Sequence, residues 1–176
     1  KLRAMNGAYL RALPLVDFVA AARPWVAPWS SAWTPSAVPP WSEGDFDEAL
    51  FARVAPLVHE RVNVLAEVPA MVGFFFVTPT LDEDAAAKVL RADPAGLAML
   101  RALEVAFASV PWSSAELHEI TLGVGEGLGL NLRKAQAPLR LAVTGSLIGP
   151  PLFESLEILG RDATLRRVRA VLAAYA

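Results

Sequence analysis

Arg61 and Arg140 are the two side chains whose surroundings most need explaining. Arg61 sits in LVHERVNVLAEVP beside an apolar surface, and Arg140 follows Pro138 in a run whose neighbours are Leu139, Leu141, Ala142 and Val143. A guanidinium can lay its stem on apolar neighbours and keep its charged head at the rim, a use that needs no ligand. The same geometry offers two parallel N–H donors to a base edge or a phosphate, and a flat face on which a base can stack. Spacing alone leaves both uses open.

The other reactive side chains form no catalytic set. His59 and His118 have glutamate neighbours, Glu60 and Glu119, but adjacent helical residues point apart and there is no His-Glu-x-x-His pair. Both read as surface or interfacial histidines, not metal ligands. Thr144-Gly145-Ser146 is not a Gly-x-Ser-x-Gly elbow. LGVGEGLGL at 122–130 lacks the glycine offsets of a dinucleotide turn and follows no strand, so it reads as a helix end running into the next helix. With no cysteine there is no thiol chemistry or disulfide, which points to a reducing, cytoplasmic setting.

The formal net charge of −2 argues against a general polyanion binder, but the charge is uneven. From Asn131 onward Arg133, Lys134, Arg140, Arg161, Arg166, Arg167 and Arg169 stand against Glu154, Glu157 and Asp162, so an anion is expected at that end. Arg133, Lys134, Arg166 and Arg167 are the candidate phosphate contacts. Every apolar run is interrupted short of the roughly 20 residues a membrane span needs. No signal peptide is apparent, and the opening KLRAMNGAYLRAL, helical from the start, reads as a piece of something longer.

The elements that must position these residues are helices. Leu2, Met5, Tyr9 and Leu13 predict a first helix, and Leu15, Phe18, Val19 and Ala22 a second starting after Pro14. Residues 23–43, rich in Pro, Ser and Trp, predict a loop. A helix is expected from about Phe46 to Asn63, kinked or interrupted near Pro56, and a short one from Met71 to Phe76. TPTLDED at 78–84 marks a break with Thr80 as N-cap. Further helices are expected at 81–91, 94–109, 113–127, 131–144, 151–159 and 162–175, with a capping box from Ser113 to Glu116. The fold class is all-α in two parts, 1–80 and 81–176.

Four stretches in order resemble the anticodon-binding end of bacterial glutamyl-tRNA synthetases. KLRAMNGAYLR at 1–11 is similar to that family's Lys-Leu-x-Trp-Met-Asn-Gly-x-Tyr-Ile-Arg stretch, with Ala4 in place of the tryptophan. ERVNVLAEVPAMVGFFF at 60–76 resembles its Arg-x-x-x-Leu-x-Glu segment, and WSSAELHEI its Trp-Thr-x-x-x-Leu-Glu helix. APLRLAVTGSLIGPPLFESLEILGRDATLRRV at 137–168 resembles its C-terminal pattern of Pro-Leu-Arg, Thr-Gly-Ser and a Pro/Leu-Phe turn. The nucleotide-binding signatures of class I synthetases do not occur here.

The resemblance implies a two-part helical module that docks on the anticodon stem and loop of glutamate tRNA. Arg61 would read the third anticodon base and Arg140 would make a second anticodon contact. Pro150 and Leu152 would pack against or contact the loop bases, and Gly149 stands where a relative has threonine. A glutamate–tRNA ligase uses ATP and magnesium in its catalytic part. This segment would be inactive alone, bind no cofactor and be monomeric. The rival reading is a helical protein-interaction module that uses the Trp/Pro-rich loop.

Overall fold

The computed structural model describes residues 2–31 and 38–175, all helices and connections with no strand among them. Trp33, part of the Trp/Pro loop, lies outside the described residues. The chain divides into two compact units, one ending at Thr78 and the other beginning at Pro79.

The first unit contains α1 (Leu2–Ala12), α2 (Leu15–Val26), α3 (Glu48–His59) and the short α4 (Val68–Val72). Helical spacing dictates its core. Phe18, Ala22 and Val26 form one face of α2, and Phe51, Val54, Ala55 and Val58 one face of α3, all fully buried. Each large apolar side chain so buried contributes about 1.5–3 kcal/mol. Asp47 caps α3 by accepting the Leu50 N–H at 2.9 Å.

α3 ends at His59, four residues before the expected Asn63, and runs through Pro56 without interruption. The early stop has a physical cause. A continued helix would bond the N–H groups of Asn63 and Val64 to the carbonyls of residues 59 and 60, but the Glu67 carboxylate takes both instead. His59 is not a surface histidine: it is buried, stacks on Phe18 at 4.4 Å, and its Nε2 lies 2.7 Å from the Leu10 carbonyl.

Of the loop's described tryptophans, Trp41 turns inward. Trp41 is 5% exposed, donates its indole N–H to the Val26 carbonyl at 2.9 Å and meets Phe76 at 5.3 Å. Trp29 meets Phe46 edge-on at 5.8 Å. Trp41 therefore serves as core, while Trp29 keeps 38% of its surface exposed.

The second unit contains α5 (Glu83–Ala86), α6 (Pro94–Ala106), α7 (Ser114–Gly127), α8 (Leu132–Thr144), α9 (Leu152–Leu159) and α10 (Arg161–Tyr175). α5 is shorter than expected because residues Ala87–Arg91 widen into a π-helical turn. Its N-cap is Asp82, not Thr80, with the carboxylate accepting the Ala85 N–H at 2.9 Å. A carboxylate at that position also suits the positive end of the helix. Ser113 is the cap of α7 as expected, accepting from the Glu116 N–H at 3.4 Å, but the reciprocal half of the expected capping box does not form, because the Ser113 N–H bonds the Pro111 carbonyl at 3.1 Å.

α8 is the central element of this unit, packing on α6, α7 and α10. Ala135, Pro138, Leu139, Leu141, Ala142 and Val143 are buried along it. Met99, Leu100, Leu103 and Phe107 close the core from one side and Leu165, Val168 and Val171 from another. No helix among the described residues is long and apolar enough to cross a membrane.

Candidate nucleic-acid interface

Arg140 has a partner. Its Nη1 donates to the backbone carbonyl of Pro150 at 2.8 Å, so the guanidinium bridges the last turns of α8 to the segment leading into α9. That segment is braced along its length. Thr144 Oγ1 lies 2.9 Å from the carbonyls of both Arg140 and Ser146. Ser146 Oγ accepts the Ile148 N–H at 3.1 Å.

The turn begins at Gly145, which adopts φ +77° and returns its N–H to the Leu141 carbonyl at 2.9 Å. This left-handed residue just past a helix is the usual way to satisfy an otherwise orphaned carbonyl. Its own carbonyl accepts the Asp82 N–H at 2.8 Å, which fixes the turn to the start of α5.

Burial divides the predicted turn residues. Pro150 is buried and Leu152 is 2% exposed as the first residue of α9, so both belong to the core instead of a surface that could contact loop bases. Apolar side chains at a Pro/Leu-Phe turn read equally well either way in a sequence, and the start of α9 draws them inward. Gly149 and Arg140 are half-buried. The exposed apolar groups here are Leu147 and Ile148, at 38% and 80% exposure, which the sequence reading did not single out. Their only signal was two consecutive apolar residues inside a Gly/Ser/Pro turn.

The basic C-terminal quarter is largely committed to the fold. Arg161 donates to the Val110 carbonyl and lies over Trp112 at 5.4 Å, and Arg169 pairs with Glu104 at 2.7 Å. Arg167, a candidate phosphate contact, turns inward and donates from Nη1 to the Val143 carbonyl at 2.7 Å. Burial, aided by neighbouring Arg166, lowers its pKa to about 10, so it stays charged at neutral pH at the negative end of α8. Arg133, Lys134 and Arg166 are exposed and carry no ion pair among the described residues.

Arg61 lies in the first unit, on the exposed turn after α3, not within the helix. Its N–H bonds the Val58 carbonyl at 2.9 Å, and Val62 beside it is fully buried. Glu67 fixes the far side, its Oε2 accepting the Asn63 N–H at 2.7 Å and the Val64 N–H at 3.4 Å while Oε1 pairs with Arg3 of α1. Burial works to raise the Glu67 pKa, but the N–H donors and Arg3 outweigh it and hold the carboxyl below its usual range. Asn6 donates to the Asn63 carbonyl at 2.5 Å, and α1 approaches so closely that a Cβ at Gly7 would lie 2.3 Å from Asn63 Oδ1. Each unit therefore presents one candidate arginine from a braced backbone.

Among the described residues the chain is all-helical and divides into two units, each carrying one candidate arginine on a hydrogen-bonded backbone. The family model described as "Anticodon binding domain" matches residues 17–172, and the chain belongs to that family. Over 172 residues it is 47% identical to the glutamate–tRNA ligase of Salinispora arenicola, covering 97% of this chain and 35% of that protein. It is 41% identical over 175 residues to that of Thermobifida fusca, covering 98% of this chain and 35% of the relative. The fold matches a crystal structure of a glutamate tRNA ligase from Elizabethkingia meningosepticum with TM-score 0.74 at 21% identity, over 99% of this chain and 32% of that one. The chain thus spans about a third of the length of the relatives it matches.

Proposed function

We propose that this chain is the anticodon-reading part of a glutamate–tRNA ligase. It binds the anticodon loop of glutamate tRNA through Arg61 in the first unit and through Arg140 with residues 147–149 of the neighbouring turn in the second, Pro150 and Leu152 holding that turn from beneath. ATP, magnesium and the ligation chemistry belong to the other two thirds of such an enzyme. The observation that carries the reading is the bond from Arg140 to the Pro150 carbonyl, which makes the arginine and the turn one rigid surface. Sequence-specific RNA readers need such fixed donors because their targets are unpaired bases whose edges are open to hydrogen bonding. Pro150 and Leu152 support the turn from the core, while Ile148 and Leu147 offer apolar surface to an unstacked base.

Glutamate and glutamine anticodons differ at the third position, cytosine against guanine, and the two bases present different donor and acceptor patterns. With Arg61 as reader, fluorescence titration of anticodon stem-loops shows a preference for cytosine, and Arg61→Gln lowers that preference by about 1–3 kcal/mol. Titrations across a salt series separate this reading from a protein-interaction module. RNA affinity falls steeply with salt, whereas an apolar protein interface responds little. An Arg61→Gln variant that kept full preference for cytosine would remove Arg61 from the site.

Arg133 and Lys134, exposed on the first turn of α8, are placed by this reading beside phosphates. Replacing either with alanine weakens binding to cytosine and guanine loops equally and lowers the salt slope by about 1. Arg167→Ala instead destabilises the second unit, because its guanidinium is held by the Val143 carbonyl. A log–log plot of affinity against salt concentration for the three variants distinguishes these roles.

A further inference from the structure

We propose that Glu67 is a positioning residue for Arg61: its carboxylate fixes the turn that carries the guanidinium, so base preference as well as stability depends on it. The inference rests on the reading that Arg61 contacts the third anticodon base.

Arg61 has no side-chain partner among the described residues, so nothing at its own tip fixes its direction. What is fixed is the backbone that carries it. On the near side the Arg61 N–H is tied to Val58 at the end of α3. On the far side the Asn63 residue is held at both of its main-chain polar groups, its N–H by Glu67 at 2.7 Å and its carbonyl by Asn6 at 2.5 Å. Between these anchors Val62 is sunk in the core, leaving Glu60 and Arg61 as the exposed crest of a pinned turn. A long flexible side chain loses rotamer freedom when it binds, and a backbone already in place limits what else must be ordered.

The acid type matters. A carboxylate has acceptor sites enough for two N–H groups and a guanidinium at once, whereas a glutamine amide has one acceptor oxygen and would turn its NH₂ donors toward other donors. Arg3 also has a second effect. Its pairing with Glu67 compensates the carboxylate's charge, so the turn carries less net negative charge toward an anionic ligand.

The test uses the 176-residue chain and two anticodon stem-loops that differ only in cytosine or guanine at the third position. Glu67→Gln lowers the cytosine-to-guanine affinity ratio by about tenfold, and the Arg61→Gln/Glu67→Gln double variant is no less selective than Arg61→Gln alone. A purely structural role would weaken both loops alike and leave the ratio intact, and that result overturns the proposal. Glu67→Asp keeps the charge but draws the oxygens back by one methylene. It is measured in parallel with circular dichroism, and an unchanged ratio in whichever variant folds also overturns it. If Arg61→Gln itself keeps the ratio, the failure lies in the anticodon reading and not in the role of Glu67 on the turn.

Discussion

Arg140→Ala lowers affinity for the anticodon stem-loop by roughly 100-fold, the upper end of what one bidentate arginine contact contributes to base recognition. Two losses combine in this variant. The proposed RNA contact disappears, and the Pro150 carbonyl loses its donor at 2.8 Å. Pro150 is buried, so its unpaired carbonyl costs about 1–3 kcal/mol of stability as well. In a chain of 176 residues each kcal/mol is worth about 2–4 °C of thermal midpoint, which makes the second loss readable by differential scanning calorimetry. Arg140→Lys separates the two effects. Lysine keeps the charge and one donor but not the planar fork, so much of the midpoint returns while RNA affinity stays low. An Arg140→Ala chain that bound RNA like the parent would reduce this residue to a brace.

Gly145→Ala destabilises the second unit by about 2–5 kcal/mol, combining the left-handed penalty of about 1–2 with an overpacking cost of about 1–3. At φ +77° any Cβ is strained, and here it would also lie 2.4 Å from the Thr80 carbonyl oxygen and 2.9 Å from Pro79 Cβ. The oxygen is backbone, so it cannot swing aside as a side-chain tip would. Urea unfolding shows the effect as a lower midpoint with an unchanged slope. A change of less than about 0.5 kcal/mol, the size of an ordinary surface substitution, would mean that the turn tolerates other backbones.

Helix periodicity made most of the fold legible from sequence, since apolar faces at three- and four-residue spacing are what α2, α3, α6 and α10 bury. Capping chemistry placed Ser113 but missed Asp82, because Thr80 and Asp82 are both good caps and only the contact with Gly145 decides between them. The end of α3 was illegible for a related reason: Glu67 removes two N–H groups from the helical ladder, and that depends on where residues 63–67 fold. At the second arginine the sequence flagged Arg140 and the turn but not their mutual bond. It placed Leu152 in a helix but also offered it, by resemblance, to the tRNA loop bases although the core takes it, and it counted Arg167 as surface charge although a carbonyl holds it. Residue type reveals what a side chain can do, and the partner ten or more residues away decides which use is realised.

Gly149 turns the same geometry into a statement about evolvability. It is not among the glycines with left-handed backbone, and a Cβ built on it would meet the Arg140 Nη1 at 3.5 Å, an ordinary contact. The fold therefore exacts no glycine there, unlike at Gly145, and a lineage can acquire or shed a side chain beside the guanidinium without unsettling the helices that carry it. A small hydroxyl at this point would add a polar neighbour to Arg140 while its absence leaves room for a larger base edge. With Arg140 as the proposed RNA contact, position 149 is a place where that contact can be retuned by single substitutions, insulated from the stability of the scaffold beneath.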